Sequence, residues 1–112
     1  MREASDAPEP GLGSFRAATR FDPHEAVVAA VTSDLATTVF VVCLEPAQEL
    51  PQHPAPAELT LLVIKGEPAI TVTDISRSTT PGDVVVVAAG AIHALRAGPQ
   101  RAVVVGVLNG RP

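Results

Sequence analysis

Few side chains in this chain have chemistry to offer: three histidines, one cysteine and a thin scatter of carboxylates. His53 and His93 stand out by position. Between them lie two apolar runs, residues 59–65 and 84–88, and two turns, Gly66-Glu67-Pro68 and Pro81-Gly82-Asp83. Imidazole ligates metals, carries protons near neutral pH and orients polar ligands. Two such rings flanking apolar strands and glycine turns imply a small β-barrel with a central pocket. Most of the polar residues that would make that pocket an enzyme are absent. There is no glycine-rich phosphate loop and no nucleophile elbow, and no local signature makes any serine a nucleophile. Paired carboxylates of the glycosidase kind are not apparent. His24 reads as a loop histidine that joins the pocket only if the N-terminal arm folds over the barrel mouth. Cys43 lies in the apolar run 39–44 with no cation beside it, which reads as a buried structural thiol.

The elements that must position these residues follow from composition. At 112 residues the chain has room for one domain and one core. Apolar residues make up 46% and aromatics only 3%, so Val, Leu, Ile and Ala fill the interior. Such β-branched, aliphatic content favours strands. The net charge is −4 and the basic residues are dispersed, which leaves no electrostatic footprint for nucleic acid or an anionic membrane. No apolar stretch is long enough to span a bilayer. The acidic, Pro- and Gly-bearing start lacks the apolar region of a signal peptide. A cytoplasmic protein is expected.

Along the chain, residues 1–14 read as a flexible tail and 15–112 as the folded domain. A short strand is expected over 15–20. Asp22-Pro23-His24-Glu25 has the form of a helix start, with Asp as cap, Pro at the first position and Glu three residues after the cap. The apolar residues 26–31 that follow are read as a strand, because a hairpin through Thr32-Ser33-Asp34 into 37–44 gives both runs one core. A helix there stays open as an alternative. Pro46, Pro51, Pro54 and Pro56 confine 45–57 to loop or sheet edge, since proline donates nothing to a ladder. Strands are expected over 59–65, 69–73, 84–88, 92–96 and 102–108, and 74–80 as a polar connection holding at most a short strand. Pro81-Gly82 fits a type II turn. Short strands at even spacing with Gly and Pro turns describe an all-β sandwich or barrel.

Two segments resemble the paired motifs of the cupin superfamily, small double-stranded β-helix (jelly-roll) barrels. In the first, Ala47 takes the position of the opening glycine and His53 that of the first histidine. Ala55 takes that of the second histidine, Leu59 that of the glutamate, and Gly66 closes the motif. In the second, Gly82, Gly90 and His93 match, while Ala88 replaces a proline and Ala97 an asparagine. The resemblance implies an all-β cupin barrel behind the tail. It also implies a site where three histidines and a glutamate hold Fe, Mn, Ni, Zn or a similar ion. Only His53 and His93 persist of that set. Glu58, one residue from the glutamate position, is the candidate third ligand. In a regular strand that shift turns its side chain to the opposite face, and a bulge after Pro56 would be needed to restore its aim.

Three functions are compatible with these residues. One is a binding or sensing barrel without turnover, its pocket lined by Leu59, Leu61, Val63, Val85 and Val87, with His53 and His93 as polar contacts. The second is a metal-dependent enzyme, of oxygenase or isomerase type, with an incomplete ligand set of His53, His93 and Glu58. The third is a structural role with a filled barrel. Unpaired strand edges and strands apolar on both faces also imply a homodimer.

Overall fold

The structure, a computed structural model, describes residues 10–34 and 36–110. The expected tail therefore lies outside the described residues over 1–9. Residues 10–14 are exposed and carry no regular structure. Among the described residues, a single helical turn, α1 (Phe15–Ala18), precedes nine strands: β1 (Val27–Ser33), β2 (Thr37–Leu44), β3 (Glu49–Pro54), β4 (Glu58–Lys65), β5 (Ala69–Val72), β6 (Ile75–Ser78), β7 (Val84–Val87), β8 (Ile92–Arg96) and β9 (Ala102–Asn109). They form two antiparallel sheets, ordered β1-β2-β9-β4-β7 and β3-β8-β5-β6.

Alternation within each strand decides which side chains enter the space between the sheets. In β4, Leu59, Leu61 and Val63 are buried, while Glu58 and Leu62 are exposed. They pack with Val42, Leu44, Ile70, Val87, Leu95 and Val104 into the main core. The five-stranded sheet is apolar on its outer face as well. There Val27, Ala29, Val41, Cys43 and Val103 form a second buried cluster, covered by Phe15, Ala18 and Phe21 of the N-terminal segment. That segment is tied down by Gln48, whose Nε2 donates to the Asp22 carbonyl at 2.8 Å, and by Arg101, which lies 4.3 Å over the Phe21 ring. Arg101 is itself held by Glu45 through contacts of 2.6 and 3.2 Å.

The N-terminal segment corrects one expectation. Residues 15–20 are not a strand. Ser14 accepts a hydrogen bond from the Ala17 amide at 3.3 Å and starts a helical turn. The i, i+3 spacing then puts Phe15 and Ala18 together on the outer sheet face. The ambiguity at Asp22 resolves towards the strand. Its Oδ1 accepts from the His24 amide at 2.7 Å in a local turn, and β1 begins at Val27. Residues 45–57 carry an edge strand, β3, as their prolines require.

Two turns show why the motif glycines matter. Gly82, at φ 96°, occupies the third position of a turn closed by the Asp83 amide on the Thr80 carbonyl at 3.0 Å, which suits the expected type II geometry. Gly66, at φ 80°, passes so close to β9 that an added Cβ would run into the Arg101 carbonyl oxygen. Ala47 holds the position of a motif glycine and adopts φ 66°, a left-handed conformation that costs a non-glycine residue about 1 kcal/mol.

Candidate binding site

The two histidines meet because β3 and β8 are neighbours. His53 pairs directly with His93 in the ladder, and the ring centroids lie 4.1 Å apart at an interplanar angle of 56°. The pairing depends on an irregularity. Leu50 and His53 are three residues apart, so a regular strand would aim them to opposite faces. The register shifts between them, and both line the same cavity. Pro51 and Pro54 sit within this strand because it is a sheet edge.

The hydrogen bonds fix how the rings present themselves. Nδ1 of His53 lies 2.8 Å from the Pro51 carbonyl, and Nδ1 of His93 lies 3.3 Å from the Ala91 carbonyl. A carbonyl oxygen only accepts, so in each neutral ring Nδ1 carries the hydrogen and Nε2 keeps its lone pair. Neither Nε2 has a hydrogen-bond partner among the described residues, yet none of their buried side-chain nitrogens is left without one. Both Nε2 atoms therefore keep some accessible surface, and both rings line one cavity. His93 is 2% exposed. Burial holds its pKa below the ordinary imidazole value, and the nearby His53 lowers it further, against the opposing pull of the Ala91 carbonyl.

The cavity these rings face has a volume of about 260 Å³. Phe40 and Val42 of β2, Leu59 and Leu61 of β4, and Leu95 of β8 form its walls. Leu50, Pro56, Leu108 and the half-exposed Val28 complete it. Apart from the two imidazoles, no side chain of this lining among the described residues is polar.

The sequence-derived site residues divide by strand. Leu59 and Leu61 line the cavity. Val63 and Val87 also face inward, but they belong to the packed core and not to the cavity wall. Val85 packs on that core and borders a separate groove with Ile70 and Val72. The reason is lateral position. The cavity lies between β3-β8 and β2-β9-β4, whereas β7 is the far edge of the five-stranded sheet. Sequence reasoning missed Phe40, Val42, Leu50, Leu95 and Leu108. Period-two alternation marks β2 and β8 residues as inward-facing, but only the sheet order says which inward residues share a wall with the histidines.

Glu58 is exposed and sits on the face of β4 opposite Leu59. The irregularity in β4 falls between Val63 and Lys65, too far along to turn it inward. His24 is exposed in the N-terminal bend. Ala55 and Leu59, at the second-histidine and glutamate positions, are both buried, at 2% and 3% exposure. The barrel therefore keeps two ligand positions of the motif buried and fills them with apolar side chains. No group of three or more His, Cys, Asp or Glu that could hold a metal occurs among the described residues. Two imidazoles alone do not fit the four-ligand centre the motif implies, and catalytic zinc and non-haem iron sites use at least three protein ligands.

No protein-family model and no curated protein sequence matches the chain. Solved structures do. An uncharacterized conserved protein with a double-stranded β-helix domain from Klebsiella pneumoniae superimposes with a TM-score of 0.82 at 24% identity, covering 92% of each chain. A cupin superfamily protein from Desulfitobacterium hafniense gives 0.74 at 18% identity, covering 95% of this chain and 93% of that one. An oxalate oxidase gives 0.71 at 22% identity over 80% of this chain and 53% of its own. The fold is that of a small cupin-type double-stranded β-helix domain.

Proposed function

We propose that this protein binds a small, largely apolar molecule in the barrel cavity and does so without turnover. The observation that carries the reading is the pair of imidazoles, each with a free Nε2, in the wall of an otherwise apolar cavity. Ligand sites of this kind are mostly apolar with a few polar groups that set orientation. The cavity volume of about 260 Å³ suits a compact molecule of one or two rings. A divalent metal held by the two imidazoles alone would keep most of its coordination sphere as water, so its affinity would be low.

A fragment screen by ligand-observed NMR tests the reading. Hits are expected to be apolar ring compounds, and Leu50→Trp, which fills the cavity from its half-buried wall, should abolish their binding. Added Zn²⁺, Mn²⁺ or Ni²⁺ should leave Tm unchanged. Hits indifferent to Leu50→Trp would overturn the proposal. So would a large metal-induced rise in Tm, because a ligand that prefers the native state stabilises it by mass action.

We also propose a homodimer. Leu62, Val84 and Val86 are exposed on the outer face of β4 and β7, and β7 is a sheet edge without charged side chains. A second copy would cover both the face and the edge. Sedimentation of the wild type and of Val84→Lys/Val86→Lys is the check: a wild type that sediments as a monomer at high concentration rejects the dimer.

A further inference from the structure

The main-chain bonds of the two histidines specify more than a polar contact. Both Nδ1 hydrogens are committed to carbonyls, those of Pro51 and Ala91. What each neutral ring offers the cavity is an acceptor. The two rings that carry these acceptors have centroids 4.1 Å apart. Among the described residues, no other side chain of the lining offers a donor or a positive charge, and His53 and His93 are its only titratable side chains. From this geometry we infer that the cavity selects molecules that bring a hydroxyl donor on an apolar body, such as phenols and alcohols, and discriminates against carboxylates and other anions. The inference rests on the binding reading above and deepens it.

The physical reason is lone-pair repulsion. An ether or carboxylate oxygen facing Nε2 would set acceptor against acceptor in an apolar wall that supplies neither with a donor side chain. A hydroxyl satisfies one Nε2 directly, and adjacent hydroxyls satisfy both. Desolvation of His93 favours its neutral, accepting state, so the preference is strongest above neutral pH.

The test uses the full chain and four probes at pH 8: toluene, phenol, anisole and benzoate. Toluene reports the apolar cavity alone. Phenol is expected to bind at least about fivefold more tightly than anisole, which carries the same oxygen without its hydrogen. Benzoate should bind at least about tenfold more weakly than phenol, and should gain on it as the pH falls and His93 takes up a proton. In His53→Leu, a change at the less buried ring, phenol's advantage over anisole should shrink severalfold. Long-range ¹H–¹⁵N spectra of the wild type give an independent reading, with both histidines expected as Nδ1–H tautomers at pH 8. Anisole or benzoate binding as tightly as phenol overturns the inference, as do Nε2–H tautomers for both rings. In either case toluene binding leaves the cavity reading intact. If neither toluene nor phenol binds, both readings fall.

Discussion

His93 is the residue whose state governs the candidate site. It is buried beside a second imidazole and holds its hydrogen on Nδ1. Its pKa is lowered chiefly by desolvation. In the unfolded chain it titrates near the ordinary value of 6.5, while in the folded chain it stays neutral to lower pH. The unfolded state therefore takes up a proton first as pH falls. His93's contribution to stability is full above 6.5 and is lost progressively down to its lower folded pKa. Denaturant titrations between pH 8 and 5 should show this decline, and His93→Phe should flatten that part of the profile. A slope unchanged by the substitution would place the proton uptake elsewhere. The alternation rule at Glu58 was already legible in the chain, for an offset of one residue puts a side chain on the other face. The tautomers were not legible, because they depend on carbonyls placed by the local path of the backbone.

At the scale of elements, β2 and β9 shape the cavity through a single exchange of size. Phe40 pairs with Gly106, and the aromatic ring occupies the space that a Cβ at position 106 would need. Phe40 also lines the cavity. Gly106→Ala is therefore expected to push the ring inward and weaken ligand binding severalfold, at a stability cost of about 1–3 kcal/mol from overpacking. Paired NMR titration and denaturation would check both halves, and unchanged binding would show that the ring escapes elsewhere. The strands themselves were largely apparent beforehand, since apolar runs bounded by Gly and Pro announce them. The helical turn at Phe15–Ala18 differs from the strand expected there because four residues carry too little periodicity to distinguish the two. The bulge in β3 was invisible for a different reason. It is set by pairing with β8, a partner some forty positions along the chain.

Across the whole molecule, the five-stranded sheet packs apolar side chains on both faces, and over β1, β2 and β9 the outer face is covered by the N-terminal segment. Phe21 lies over the cluster containing Cys43, pinned by Arg101, which is pinned in turn by Glu45. Phe21→Ala should cost about 1–3 kcal/mol, less than the 3–5 kcal/mol of a fully buried Phe because this one is half-buried. It should also make Cys43, fully buried at 0% exposure, react faster with a thiol reagent under native conditions. Equal labelling rates in the two proteins would mean that the segment does not guard the thiol. No helix among the described residues is long and apolar enough to cross a membrane.

The amino-acid order alone determined the strand content, the placement of the prolines at an edge and the glycines at turns. These are local properties, written in backbone stereochemistry and period-two burial. It also marked His53 and His93 as the residues to watch. Tertiary structure decided that their rings touch, that Ala55 and Leu59 are buried where ligands would stand, and that the cavity opens beside β2 and not β7. Those outcomes depend on which strands become neighbours. That choice is made by the collective packing of two sheets, and no short stretch of the chain encodes it.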